Sequence, residues 1–135
     1  MVKIDDFRNF NLYKRSIDLT KITYSAVNTS NNKLSLSEAV LIRKRAVTVA
    51  RKIASGISQA NILILFKQLN EAKREIYQLK KVVDELTNRG KLQTKSLMNF
   101  ESCLLEIIKL LNAYFNFVAT KATKHKNSKG DRIDE

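Results

Sequence analysis

Leu65, Leu69, Ala72, Ile76, Leu79, Val83 and Leu86 recur three or four residues apart, and this stripe limits what the chain can become more than any other feature. The spacing lines all seven along one side of an α-helix, and an apolar side of that length is stable only against other helices. Three further stretches repeat the pattern. Leu12, Ser16, Leu19, Thr23, Ala26 and Val27 predict a first helix over about Asn11 to Asn28, with Phe7 and Phe10 packed ahead of it. Ala39, Ile42, Ala46, Val49, Ala50, Ile53 and Ile57 give the inner face of a second, mostly small residues that let neighbouring helices approach closely. The leading stripe belongs to a third helix from about Ala60 to Asn88. Leu97, Phe100, Leu104, Ile107, Leu111, Tyr114 and Val118 mark a fourth that begins near Thr94.

The breaks between these helices are legible because so little else could break them. The 135 residues include no Pro and only three Gly, at 56, 90 and 130. The polar cluster from Asn28 to Asn32 reads as a loop. Ser35 and Glu38 have the spacing of a capping box and open the second helix. Gly56 and Ser58 are expected to end or kink it, and Gly90 to close the third by taking a left-handed conformation. Beyond about Ala122 the sequence is too polar to bury anything. The expected organisation is therefore all-α. Residues 1–120 form an antiparallel up-down-up-down four-helix bundle, and residues 121–135 a basic, disordered tail.

A second set of apolar positions lies to one side of the core stripes. Cys103, Leu110 and Phe117 recur every seven residues on the fourth helix, and Val40, Val47 and Ala54 do so on the second. Two accounts fit them. One is a wide core face, common in globular helices. The other is a subunit interface, since a helix contacted from two sides needs two stripes, and homo-oligomerisation is the expectation that follows.

Charge supplies the next constraint. The chain has 25 Lys and Arg against 13 Asp and Glu, a formal +12, which makes a polyanion the first partner to consider. The excess belongs to the folded part, since residues 38–58 alone carry a net +4 and residues 119–135 only +2. Arg43, Lys44, Arg45, Arg51 and Lys52 on the second helix, with Lys67, Arg74 and Lys81 on the third, are the candidate phosphate contacts. Lys80 with Asp84 and Lys81 with Glu85 are spaced to pair and offset part of that charge. No zinc-finger spacing, RNP aromatic motif or basic zipper occurs, so recognition through backbone and shape is expected rather than base readout.

Catalysis finds little material. The one histidine, His125, lies in the expected tail, and Glu71 and Glu75, which share a helix face, sit beside Lys73 and Arg74 as an ordinary charged surface. No phosphate-binding glycine loop or GxSxG elbow occurs. No enzyme activity, metal or cofactor is expected. The lone Cys103 reads as a buried, reduced thiol, no apolar run reaches the roughly 18 residues of a membrane span, and Met1 to Asp6 lacks the order of a signal peptide. A cytoplasmic protein without a membrane partner is expected.

Phe10 to Thr20 resembles the opening helix of the bacterial four-helix-bundle proteins named for intervening sequences in 23S ribosomal RNA genes, with Leu12, Tyr13, Lys14, Ser16 and Leu19 at the matching places. Arg45 to Gly56 is similar to that family's second-helix signature through Arg45, Ala46, Ile53, Ala54 and Gly56. Val49, Ala50, Lys52 and Ser55 stand where Ile, Pro, Asn and Glu are usual. Phe66 to Leu92, with its Gly90-Lys-Leu ending, is similar to the third helix and turn. Related proteins of this fold include the accessory variability determinant (Avd) proteins of diversity-generating retroelements, basic homopentamers that bind a reverse transcriptase and its template RNA. The resemblance implies a pentameric barrel, and the positive charge moves this chain toward those members. The expected function is non-enzymatic binding of structured RNA or a ribonucleoprotein, with a reverse transcriptase as the implied protein partner. The rivals are a protein-interaction scaffold and a structural subunit with no nucleic-acid ligand.

Overall fold

Each helix begins and ends where side chains or a glycine can satisfy its free backbone groups. In the computed structural model, which describes the backbone of residues 7–30 and 32–134 and the side chains of 11–30, 32–93 and 95–121, these helices are α1 (Phe7–Asn28), α2 (Leu36–Ile57), α3 (Ile62–Asn88) and α4 (Thr94–Asp134). No strand occurs among the described residues. At the start of α2 the Glu38 N–H donates to Ser35 Oγ (3.1 Å) and the Ser35 N–H to Glu38 Oε1 (2.9 Å), closing the capping box. Asn61 caps α3, its Oδ1 accepting from the N–H groups of Leu63 (2.9 Å) and Ile64 (3.2 Å). Gly90 follows α3 at φ 73°. There the Gly90 N–H reaches Thr87 O and the Lys91 N–H reaches Leu86 O, both at 2.9 Å, the paired bonds of a Schellman ending.

At the end of α2 the sequence expectation holds for Ser58 and not for Gly56. Helix α2 ends at Ile57, where Ser58 caps it with both its N–H and its hydroxyl on Ala54 O. Gly56 does not break it. It is buried within the helix, and a Cβ there would lie 2.6 Å from Leu69 Cδ2 and 2.9 Å from Cγ, so its role is to let α3 come close. Helix α4 is continuous from Thr94 to Asp134. The packing expected of Phe7 and Phe10 concerns side chains outside the described residues.

The four stripes form one core. All seven residues of the α3 stripe and all seven of the α2 face are buried, and so are Leu12, Ser16, Leu19, Thr23 and Val27 of α1 and Phe100, Leu104, Ile107, Leu111, Tyr114 and Val118 of α4. Ala26 and Leu97 are half-buried. The two buried α1 hydroxyls are satisfied by the preceding turn, Ser16 Oγ on Tyr13 O (2.6 Å) and Thr23 Oγ1 on Leu19 O (2.7 Å).

Around that core α1 packs on α2 and α4, and α3 on α2 and α4, while the diagonal pairs make no close backbone approach among the described residues. Arg45 pairs with Glu75 and Lys52 with Glu71, so residue numbers rise on α2 as they fall on α3. Phe66 meets Phe115 and Lys73 meets Asn112 across α3 and α4, again in opposite sense.

The stretch Lys95–Lys121 of α4 is long and apolar enough by composition to cross a membrane, with a mean hydropathy of 1.3 over its richest window. That content is reached although Glu106 and Lys109 interrupt every apolar run before 18 residues. The cause is an α4 that is apolar on more than its core stripe, with Leu105, Ile108, Leu110, Phe115 and Phe117 beside it.

Candidate nucleic-acid interface

The eight candidate cations divide into two groups once the helices are assembled. Three are tied to neighbours. Arg43 Nη2 donates to Asn28 Oδ1 at 3.1 Å, and its guanidinium lies 5.5 Å from the centre of the Tyr24 ring on α1. Arg45 Nη1 reaches Glu75 Oε2 at 3.1 Å, and Lys52 Nζ reaches Glu71 Oε2 at 2.7 Å, both across the α2/α3 seam. That hydrogen bond from Lys52, assisted by the positive fields of Lys67 and Arg74, holds the Glu71 carboxyl below its ordinary range. The pair Glu71 and Glu75 thus serves as counter-charge for α2.

Lys44, Arg51, Lys67, Arg74 and Lys81 form the second group. All five are exposed and make no ion pair or side-chain hydrogen bond among the described residues. Helical periodicity explains their position. Lys44 and Arg51 are seven residues apart opposite the buried face of α2, and Lys67, Arg74 and Lys81 repeat that interval opposite the buried stripe of α3. Seven residues rise about 10.5 Å, so each of these two adjacent helices carries a basic row along its solvent side. Lys80 pairs with Asp84 at 2.9 Å as its spacing predicts, and its own ammonium is held charged to higher pH by that bond. Lys81 makes no ion pair with Glu85.

Several contacts were not legible in the sequence. Lys91 Nζ, just beyond α3, donates to both Glu38 carboxylate oxygens at 2.8 and 2.9 Å. This bond, followed by the one from the Ser35 N–H, depresses the Glu38 carboxyl to about 2. Arg15 bridges Asp18 (3.1 Å) and Glu106 of α4, which raises its already high pKa further. Ion pairs between distant segments leave no periodic trace in a sequence, so no signal there could have paired them.

The candidate interface stripes also divide. Val40 is 51% exposed, and Val47 and Ala54 are half-buried on the same side of α2. On α4, Cys103 is only 3% exposed and belongs to the core of the single chain, where Leu110 and Phe117 also pack. Leu110 and Phe117 are only partly buried within the single chain. Cys103 Sγ lies 3.5 Å from Arg15 O, and Leu110 shares a shallow cavity with Asn11, Lys14, Arg15, Asp18 and Glu106, so these side chains turn toward α1. Burial pushes the Cys103 thiol up to about 11.

No group of three His, Cys, Asp or Glu side chains among the described residues is placed to hold a metal ion. An apolar cavity between Thr23, Val27, Ile42, Val83, Leu92 and Phe100 has room for about 10 Å³ of water-sized contents. Comparison with protein-family models, with curated proteins and with solved structures finds no match for this chain.

Proposed function

We propose that this protein is a non-enzymatic, basic four-helix bundle of antiparallel up-down-up-down topology that binds structured RNA, or a ribonucleoprotein, through phosphate contacts on α2 and α3. The observation that carries the reading is the two rows without ion-pair partners among the described residues, Lys44 and Arg51 on α2 and Lys67, Arg74 and Lys81 on α3. Surface cations stabilise a fold most when paired, and an unpaired row on a folded helix is suited to displacing the counterions of a polyanion. The opposite run of residue pairs between α2 and α3 and between α3 and α4 supports the topology. Self-association through the accessible Val40, Val47 and Ala54 side of α2 would repeat the rows around an axis. The resemblance to the intervening-sequence and Avd proteins favours a pentamer acting in the cytoplasm as accessory subunit of a retroelement reverse transcriptase.

The structure changes which residues test this reading. Reversing Arg45 or Lys52 would set Glu against Glu75 or Glu71 and disturb the seam itself. The informative variant is Lys44→Glu, Arg51→Glu, Lys67→Glu and Arg74→Glu together. Its control is Lys14→Glu, Lys21→Glu, Lys33→Glu and Lys109→Glu, an equal charge change at exposed positions elsewhere. Binding to a structured RNA is measured across a salt series, with oligomer mass determined on the same samples. The first variant should lose binding, and each phosphate contact removed should flatten the slope of log affinity against log salt by about 0.7–0.9. Equal loss in both variants would reduce the effect to net charge. Retained affinity in the first, with a protein partner surviving nuclease treatment, would favour the scaffold reading.

A further inference from the structure

Helix α3 places one large aromatic side chain on its solvent side among the basic residues. Tyr77 is 51% exposed, while its neighbours Ile76 and Leu79 are fully buried. Residues three and four positions away are its neighbours on a helix surface. For Tyr77 those four are Lys73, Arg74, Lys80 and Lys81, every one a cation. Lys73 is held by Asn112 Oδ1 (3.2 Å) and Lys80 by Asp84 (2.9 Å), which leaves Arg74 and Lys81 unpaired on the side of the basic row. Among the described residues no cation lies over the Tyr77 ring, no other ring stacks on it, and its hydroxyl makes no hydrogen bond. The two cation–π contacts observed involve other rings, those of Tyr24 and Phe117.

An open aromatic face bordered by free cations matches the chemistry of an unpaired nucleotide, whose base offers a π-face and whose flanking phosphates offer charge. A duplex hides its base faces in its own stack and presents only the charge. We infer that Tyr77 is a stacking platform for an unpaired base, with Arg74 and Lys81 on the adjacent phosphates, so that this solvent face of α3 takes single-stranded segments in preference to duplex. The inference rests on the phosphate-binding reading above and specifies its ligand.

The test uses the full chain with three labelled probes of equal length: a single-stranded oligouridine, an abasic strand and a duplex. Tyr77→Ala should weaken oligouridine binding about 5- to 150-fold, leave duplex affinity and the salt slope unchanged, and leave the thermal midpoint near that of the parent, since Tyr77 buries little. Tyr77→Phe should bind like the parent, and the abasic strand should bind the parent as weakly as oligouridine binds Tyr77→Ala. The stacking assignment is overturned, with phosphate binding intact, if Tyr77→Ala or the abasic strand binds like the parent pair, or if Tyr77→Ala weakens duplex and single strand alike. Competition by polyglutamate as effective as by oligouridine would assign the patch to an acidic protein and overturn it too. Absence of any nucleic-acid binding at low salt removes both this inference and the reading beneath it.

Discussion

Helix α3 meets its two neighbours in different ways. Against α2 the contact is made by small residues and crossed by charge. Gly56 leaves the space that Leu69 occupies, Ala46 and Ala72 are fully buried, and Arg45–Glu75 and Lys52–Glu71 close the seam from outside, with Glu38–Lys91 at its end. Against α4 large half-buried side chains stand between the helices. Phe66 and Phe115 stack with ring centres 5.7 Å apart and planes 13° from parallel, and Lys73 Nζ donates to Asn112 Oδ1 across the seam. Interaxial distance follows the size of the side chains at the contact. The α2/α3 pair is thus the tightly fitted unit of the bundle, and the basic rows stand on its outer surface.

The comparison is most exposed to truncation. Leu69→Ala, which empties the α2 side of α3, should cost about 2–5 kcal/mol in denaturant unfolding. Phe115→Ala should cost less, about 1–2 kcal/mol, because its ring is already partly in water and gives up only part of a core phenylalanine's contribution. Equal losses would mean that the two seams are equally well packed. Overfilling is a sharper and smaller perturbation. Gly56→Val should destabilise by about 1–3 kcal/mol against a fully buried Leu69, and pairing it with Leu69→Ala should recover part of that loss if the clash is with this side chain.

The smallest expected effect is electrostatic. Glu38 titrates at about 2 in the folded chain against an ordinary 4.5, so the unfolded chain takes up the proton first. Its contribution to stability is present above about pH 4.5 and is lost as pH falls from there through 2, and Glu71 is shifted in the same direction. Thermal midpoints measured through that window should fall with pH. Glu38→Gln should fall less steeply, since it removes the titrating group. An unchanged slope would show that the link to Lys91 contributes nothing in solution.

Much of the fold was legible because burial on a helix leaves a period. The α3 stripe and the α2 face are buried at every position expected, and Ser35, Glu38 and Gly90 mark helix ends by local chemistry that needs no partner. Gly56 and Ser58 were both read as ending or kinking α2; Ser58 caps it, whereas Gly56 lies inside it, because a glycine that ends a helix and one that admits a neighbour look alike until the neighbour is in place. The second α4 stripe was open between a wide core and an interface for the same reason: its period is visible, and what faces it is not. The eight basic candidates looked equivalent, yet Arg43, Arg45 and Lys52 are engaged with Asn28, Glu75 and Glu71. The exposed Tyr77 among four cations lies in plain view of the sequence, but only its lack of ring and hydrogen-bond partners distinguishes it from a tyrosine covered by its neighbours.

By itself, then, the sequence determined the helices, their inward faces and the sign of the surface, all of which depend on residues within a few turns of one another. The tertiary structure decided which helix stands beside which, which carboxylates neutralise which cations, and which basic rows remain free. Those outcomes depend on groups tens of residues apart that meet only when the apolar stripes are buried together, and side-chain reach across a seam is set by packing distance rather than by any spacing along the chain.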